Sequence, residues 1–382
     1  MRILYFSRDY TSHDHRFLQA LAGTEHKIYF LQLERRGHTL EDRPLPNEIE
    51  QVHWAGGRGP AGLKEGPRLL LDLKRVIRLV KPDLIQAGPL QRTAFLVALA
   101  GFRPLVSMSW GYDLLVDAGK NAAWRWATRY ALSHSAAMVG DCDTIRKLAV
   151  EHGMPEGRVV TFPWGVDLDH FIPLSPKPSF TGSPSPLYKE GKQAGTSRPF
   201  VILSTRSWEP VYGVEVIACA FVNAARQRPE LQLAMLGNGS LASGLRQIFN
   251  QGNVEERVMF PGQVKFTDLP SYYQRADLYV CASHADGSSI SLLEAMACGK
   301  PALVSDIPGN REWVSSEEVG WLFPDGDVND ALAQAMLNAV GQRDRLAEMG
   351  RQARLLAERR ANWKMNFPRL FKAYEIALSE AG

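Results

Sequence analysis

The stretch HADGSSISLLEAMACGKPALVSDIPGNREWV, residues 284–314, decides how this chain is read. It follows DLYVCAS (277–283), a short apolar run of strand type, and it contains a second such run, PALVSD (301–306). The residues between them read as a loop and then a helix that starts near Ser288 or Ser289 and runs to Cys298. Gly299 suits the position just past a helix end, and Pro301 prevents continuation. Backbone N–H groups near Ser288, Ser289 and Ile290 are then helix-start donors, a ready anion site that needs no lysine. Gly287 lets backbone approach a ligand closely. Glu294 sits inside an otherwise apolar helix, where a charge needs a reason. Helical side chains lean toward the N-terminus, and a carboxylate can accept two hydroxyl hydrogens at once. A ribose diol beside a diphosphate fits Glu294, and a sugar on that diphosphate fits Asp286 in the preceding loop. The bland alternative is a solvent-facing Glu294 and an Asp286 that caps the helix.

Outward from this unit the same rhythm covers the chain. Strands are expected at 2–7, 27–33, 83–88, 104–110, 136–141 and 158–163, then at 200–205, 231–236, 257–262, 277–283, 301–306 and 320–323. Helices fit 14–22, 66–80, 91–101, 121–133 and 142–152. Alternating strand and helix means an α/β chain of parallel sheets covered on both faces. PLSPKPSFTGSPSPLYKEGKQAGTSRP (173–199) has almost no large apolar residue and reads as a linker. The expected division is residues 1–172 with a closing helix over 363–382, the linker 173–199, and residues 200–362. Ligands of such sheets bind beyond the carboxyl ends of the strands, so a cleft shared by the two domains is the expected site.

Length and composition agree. A chain of 382 residues exceeds what one core usually organises. It is 45% hydrophobic and 22% charged, as ordinary globular proteins are. The net charge of +3 gives no reason to expect nucleic acid as a partner. Cys142, Cys219, Cys281 and Cys298 lie far apart and read as buried thiols. MRILYFSRDY has no apolar signal region, and the run AFLVALAGF (94–102) is too short to span a bilayer, so a cytoplasmic location is expected. No His, Asp or Glu cluster has ligand spacing, so neither a metal nor a separate cofactor is expected.

The 284–314 stretch resembles the donor-site signature of the GT-B glycosyltransferases, specifically retaining glycosyltransferase family 4. That signature sets two acids with seven residues between them, here Asp286 and Glu294. A small-residue helix end follows, here AMACGKP, and then SDIPGNRE. RVVTFPWGVDLDHF (158–171), LAMLGNGS (233–240), RVMFPGQVKFTDLPSYYQRADLYVCAS (257–283) and NWKMNFPRLFKAYEIAL (362–378) resemble further motifs of the family. The resemblance implies two Rossmann-like doubly wound domains facing a cleft, with a C-terminal helix crossing back to the first domain. It implies transfer of a sugar, with retention, from a nucleoside diphosphate sugar to a hydroxyl acceptor, without a metal. It also implies donor contacts from Glu294, Gly287, Ser288, Ser289, Ile290 and Gly237, and catalytic roles for Arg206 and Asp286.

Three departures from the family pattern stand out. The family's basic pair on the loop after the second domain's first strand becomes Arg206 and Tyr212 in STRSWEPVYGVE (204–215). A tyrosine hydroxyl donates a hydrogen bond but brings no charge. An alternative for Arg206 is a surface pair with Glu209. The family histidine of the first domain is replaced in SWGYDLL (109–115), where Trp110 lines the acceptor side and Asp113 is the nearest polar candidate for a catalytic contact with sugar or acceptor. Each can also be structural, Trp110 by packing and Asp113 by capping a helix. In place of the glycine-rich loop stands RDYTSHDHRF (8–17), whose Arg8, His13 and Asp14 are acceptor-side candidates. Asp14 equally suits an N-cap.

Rival functions are weaker. GNGSLA (237–242) mimics a dinucleotide fingerprint, but it lies in the wrong strand–loop unit, with no acid on a following strand. A sugar-nucleotide epimerase would need an acid–base set that is not evident. A non-catalytic nucleotide-sugar sensor remains an alternative. RGPAGLKEGPRLLLDLKRVIRLVK (58–81) has seven Lys/Arg against two acids and an apolar set of Leu69, Leu70, Leu73, Val76, Ile77 and Leu79. Covering the first sheet explains it. Peripheral contact of 66–80 with the inner membrane face is the other reading.

Overall fold

A computed structural model describes residues 1–35, 41–174, 198–326 and 329–380. They form two compact units, Met1–Pro163 with Lys364–Gly382, and Trp164–Trp363. Residues 164–172, expected in the first domain, therefore belong to the second unit. Val166 makes a parallel bridge to Asn362, and Val166 and Phe171 are fully buried in that unit's core. Most of the expected linker, 175–197, lies outside the described residues.

The first unit is a seven-stranded parallel sheet. Its strands are β1 (Arg2–Ser7), β2 (Lys27–Gln32), β3 (Glu50–Gln51), β4 (Leu84–Gly88), β5 (Leu105–Met108), β6 (Ala137–Gly140) and β7 (Val159–Thr161), in the order β3-β2-β1-β4-β5-β6-β7. The central strands β4, β5 and β6 are buried at every residue, which is why they read as apolar runs and not as alternations. Its helices include α1 (Ser12–Ala22), α2 (Gly66–Val80), α3 (Phe95–Ala100), α4 (Tyr112–Leu115), α5 (Ala122–Ser133) and α6 (Asp143–Glu151). The helix expected over 91–101 is instead a π turn, Leu90–Ala94, followed by α3. On α2 the expected apolar set is corrected at Leu79, which is 67% exposed, whereas Leu69, Leu73, Val76 and Val80 are buried.

The second unit is a six-stranded parallel sheet of β8 (Phe200–Ser204), β9 (Leu231–Leu236), β10 (Val258–Gly262), β11 (Leu278–Cys281), β12 (Ala302–Ser305) and β13 (Gly320–Phe323), in the order β10-β9-β8-β11-β12-β13. Around it lie α7 (Val214–Gln227), α8 (Ala242–Gln251), α9 (Leu269–Arg275), α10 (Ile290–Ala297), α11 (Pro308–Arg311), α12 (Asn329–Gly341) and α13 (Leu346–Arg360). One apolar cluster fills each face of this sheet.

The chain then returns to the first unit. The expected closing helix is two helices, α14 (Trp363–Asn366) and α15 (Arg369–Ser379), because Pro368 brings no N–H to continue a helix. Leu370, Ala373, Tyr374 and Ala377 bury one face of α15. The Tyr374 hydroxyl donates to the side-chain amide oxygen Oε1 of Gln86 on β4, and Glu380 pairs with Arg158.

Candidate functional site

In the second unit the loop between β11 and α10 is fixed from below. The Ser305 hydroxyl donates to Ser283 O (2.5 Å), and the buried Asn310 amide donates to Ser305 O (2.8 Å). The Trp313 indole donates to Ser288 Oγ (3.3 Å). Gly309 lies directly against the loop. A Cβ there would stand 2.3 Å from Gly287 O and 2.4 Å from Asp286 O. The helix begins at Ile290, with Ser289 at the N-cap position, so it starts slightly later than the sequence suggests. Ser289 Oγ does not cap its own helix. It accepts from Arg206 Nη1 at 3.1 Å.

Arg206 leaves the end of β8 and gathers the site around itself. Its Nη2 is 2.9 Å from Asp286 Oδ2, and its Nη1 also donates to Ser291 Oγ (3.2 Å). The Tyr279 hydroxyl supports Ser291 from below (2.8 Å). The Arg206 guanidinium lies 4.1 Å from the centre of the Tyr212 ring, a cation–π contact. Tyr212 thus meets Arg206 with its ring face. Burial alone would lower the pKa of Arg206. The neighbouring Asp286 carboxylate, with a smaller contribution from Tyr212, reverses this, and the net shift is upward. The pair with Glu209 does not form. Glu209 instead accepts from the Ser240 backbone N–H (3.0 Å) and hydroxyl (2.6 Å). That tie, with Trp208 N donating to Asn238 O (3.0 Å), fastens the β8 loop to the β9 loop. Gly237 turns the latter at φ +101°, with Arg206 O only 3.0 Å from where a Cβ would stand.

Glu294 is buried, 7% exposed, in the second turn of α10. Its Oε2 accepts from the Tyr273 hydroxyl (2.9 Å), which is also 2.9 Å from Thr205 Oγ1. Burial, followed by the Glu294 carboxylate, pushes the Tyr273 phenol well up. The solvent-facing alternative for Glu294 is therefore wrong, and Arg206, Tyr212, Asp286, Ser289 and Glu294 stand at one end of one sheet.

The first-unit candidates divide differently. Asp14 is fully buried and accepts from Thr11 N (2.9 Å), Thr11 Oγ1 (2.5 Å) and the Tyr5 hydroxyl (3.1 Å). It is the third residue of a capping box in which Thr11 is the N-cap, so the acceptor-side assignment is corrected to a structural one. Asp113 is corrected likewise. It is 2% exposed and accepts from Leu90 N (2.9 Å), Ser109 Oγ (2.5 Å) and Leu114 N (3.0 Å), which pins the π turn. Burial pushes both carboxyls up to about 6, against the hydrogen bonds that favour the charged form. Arg8 donates to the buried Glu34 at 2.5 Å. His13 and Trp110 pack together, ring centroids 5.2 Å apart, and both are partly exposed.

Comparison with known proteins agrees with this geometry. A family model described as Glycosyl transferases group 1 matches residues 189–356, and one described as Glycosyltransferase Family 4 matches residues 12–170. This chain is a GT-B glycosyltransferase of the family 4 type. Phosphatidyl-myo-inositol mannosyltransferase of Mycobacterium leprae is 32% identical over 219 residues, a match covering 56% of this chain and about half, 53%, of that relative. A GDP-mannose-dependent alpha-(1-6)-phosphatidylinositol monomannoside mannosyltransferase of Mycolicibacterium smegmatis is 25% identical over 303 residues, covering 74% and 73%. The crystal structure of Anabaena HepE in complex with UDP-glucose shares the fold, with a TM-score of 0.77 at 19% identity over 98% of this chain and 99% of that one.

Within this glycosyltransferase several site residues escaped the sequence reading. Ser291, Tyr279, Tyr273 and Thr205 hold Arg206 or Glu294 in place. Tyr273 had a signal, as the apolar face of α9 presents Leu269, Pro270 and Tyr273 at helical spacing. Ser291 had one as the second hydroxyl on the first turn of α10. Thr205 and Tyr279 had none beyond their places at strand ends.

Proposed function

We propose that the protein transfers a sugar from a nucleoside diphosphate sugar to a hydroxyl acceptor with retention of configuration. One observation carries the reading: a buried guanidinium held between an aromatic ring and a carboxylate at the start of α10, whose second turn bears a buried glutamate. The diphosphate would take the place of Asp286 on Arg206 and use the first-turn amides of Ser288–Ile290. Glu294 would accept the ribose hydroxyls, keeping Tyr273 as its donor. Asp286, released from Arg206, would turn to the hydroxyls of the transferred sugar. As the bond from the anomeric carbon to phosphate oxygen breaks, charge grows on that oxygen, and Arg206 stabilises it. The acceptor oxygen then bonds the same face of the sugar, and its proton passes to the departing phosphate. No metal is assigned a part in these steps.

The acceptor would be met by the first unit, with Arg8, His13 and Trp110 as its candidates. The names of the mycobacterial relatives favour GDP-mannose as donor and an inositol lipid as acceptor. A lipid acceptor suits the basic face of α2 as a peripheral contact with the inner face of a membrane. Among the described residues no helix is long and apolar enough to cross one. The test is thermal stabilisation of the purified chain by GDP-, UDP-, ADP- and dTDP-sugars, with NADH as control. Stabilisation by GDP-mannose, followed by mannose transfer to phosphatidylinositol, is expected. A response to NADH alone overturns the reading.

A further inference from the structure

A groove of about 820 Å³ in the first unit has walls of Leu70, Phe95, Leu96, Leu99, Trp124 and Trp126. Its volume falls in the range of small-molecule sites, roughly 300–1,000 Å³. The π turn that contributes Gln91 and Arg92 to the lining begins two residues after β4, and α2 and α5 contribute from their first two turns. The groove therefore lies at the carboxyl edge of the sheet, where ligands of such folds bind. One polar group in it stands out. Gln91 is 7% exposed, and its Nε2 donates to Asp113 O (2.7 Å) and to Thr128 Oγ1 (2.8 Å). The Thr128 hydroxyl gives its own hydrogen to Trp124 O (2.8 Å). Both neighbours of that nitrogen thus act as acceptors, which fixes the orientation of the amide. The other atom of the amide, Oε1, is buried and has no hydrogen-bond partner among the described residues.

An acceptor buried in an apolar groove without a donor is costly, and a ligand that supplies the donor removes the cost. A plain hydrocarbon would fill the space and leave Oε1 unserved. Aromatic walls suit an aromatic occupant, through offset and edge-to-face packing. Trp126 is 56% exposed although Phe95 and Tyr130 pack on it at 5.5 and 5.3 Å, so ring surface is left for a ligand. Among the described residues Arg92 is the one charged side chain of the lining, and it is engaged. Its guanidinium lies 5.5 Å from the centre of the Trp124 ring and donates to Ala61 O (3.4 Å). We propose that this groove binds a small uncharged aromatic molecule carrying a hydroxyl, which donates to Gln91 Oε1 while the rings lie among Phe95, Trp124 and Trp126. The site is separate from the donor and acceptor assignments above and needs neither.

The test is equilibrium dialysis of the full chain against 2-naphthol, with 2-methoxynaphthalene and 2-naphthoate as comparisons. Saturable binding of 2-naphthol, one per chain, is expected. The methyl ether keeps the rings but has no hydrogen to donate, and should bind about tenfold more weakly or worse. This comparison needs no variant. Two variants then locate the site. Leu99→Trp fills the groove and should weaken 2-naphthol about tenfold. Gln91→Met removes the acceptor and should abolish the preference for the alcohol over the ether. A melting midpoint close to that of the parent shows that a variant is folded, and if Gln91→Met is not, the ligand pair and Leu99→Trp still decide. Equal binding of alcohol and ether by the parent overturns the role of Oε1. Binding that survives unchanged in Leu99→Trp places the probe elsewhere and overturns the groove. Tighter binding of 2-naphthoate makes Arg92 the anchor and overturns the uncharged class. No binding of any probe means that solvent serves Oε1, and overturns the proposal.

Discussion

Asp286 stands 2.9 Å from the Arg206 guanidinium, and the two side chains are only 19% and 13% exposed. Removing such a pair from water is costly, and removing one partner strands the other charge. A site built to bind an anion has a use for this arrangement, because the carboxylate keeps the cation in place until the ligand arrives. Asp286→Asn should therefore lower the stability of the ligand-free chain by roughly 2–3 kcal/mol. A nucleoside diphosphate should then raise the melting midpoint of the variant more than that of the parent. Equal midpoint shifts would mean that ligand and carboxylate do not compete for Arg206.

The contact between Arg206 and Tyr212 separates ring from hydroxyl. Tyr212→Phe keeps the face on which the guanidinium rests and should leave turnover within about twofold, whereas Tyr212→Ala removes a cation–π contact of order 1–2 kcal/mol and should lower it about tenfold. Arg206→Lys keeps the charge but loses the planar fork that reaches Asp286, Ser289 and Ser291 together. It should cost kcat about a hundredfold, with a much smaller change in KM. Steady-state rates with a sugar nucleotide decide this. If phenylalanine is as damaging as alanine, the hydroxyl acts on the ligand after all.

The sequence reading succeeded where burial writes itself into local pattern. β1, β4, β8 and β11 are apolar runs because both faces of their sheets are covered. It failed where structure depends on distant residues. β3 is two exposed residues, Glu50 and Gln51, paired to Tyr29 and Phe30, and no local pattern announces it. The π turn at Leu90 is held by Asp113, 23 residues further on. The same holds at the site. The start of α10 and the place of Glu294 on its second turn were legible from 284–314 alone. That Arg206 would meet Asp286 and not Glu209 depends on sheet order, which sets β8 beside β11. Asp14 and Asp113 looked functional because an acid near a strand end resembles a catalytic one until its donors are counted.

Gly309 gives a test of the loop that carries the proposed donor contacts. It is remote in sequence from Asp286 and Gly287, yet an alanine methyl there would lie against both carbonyls. The backbone cannot yield without moving Asp286 and the first-turn amides. Gly309→Ala should cost about 1–3 kcal/mol of stability. Its effect on sugar-nucleotide affinity, read by calorimetry, should be larger than that of Gly341→Ala, where a Cβ meets nothing within 4 Å. Unchanged affinity in the Gly309 variant would detach this loop from the donor site.

Asp14 and Asp113, two of the buried acids of the first unit, predict an unusual pH dependence. Burial raises the Asp14 and Asp113 carboxyls from 3.8 to about 6. Below about pH 4 both folded and unfolded chains hold these protons, so the groups add no pH dependence. Between about pH 4 and 6 the unfolded chain has released them while the folded chain still holds them. The folded state then binds more protons, and the unfolding free energy falls as pH rises. Above about pH 6 both states are ionised and the loss is complete, roughly 3 kcal/mol for each group. Other groups titrate in the same window, so the comparison must be with a variant. Urea unfolding of the parent and of Asp113→Asn from pH 4 to 7 isolates one carboxyl. The stability difference, parent minus variant, should fall by roughly 3 kcal/mol across that range. A difference that stays level would show that the donors from Leu90, Ser109 and Leu114 offset the burial of the charge. A difference that grows with pH would mean that they outweigh it, and that Asp113 is an ordinary stabilised carboxylate.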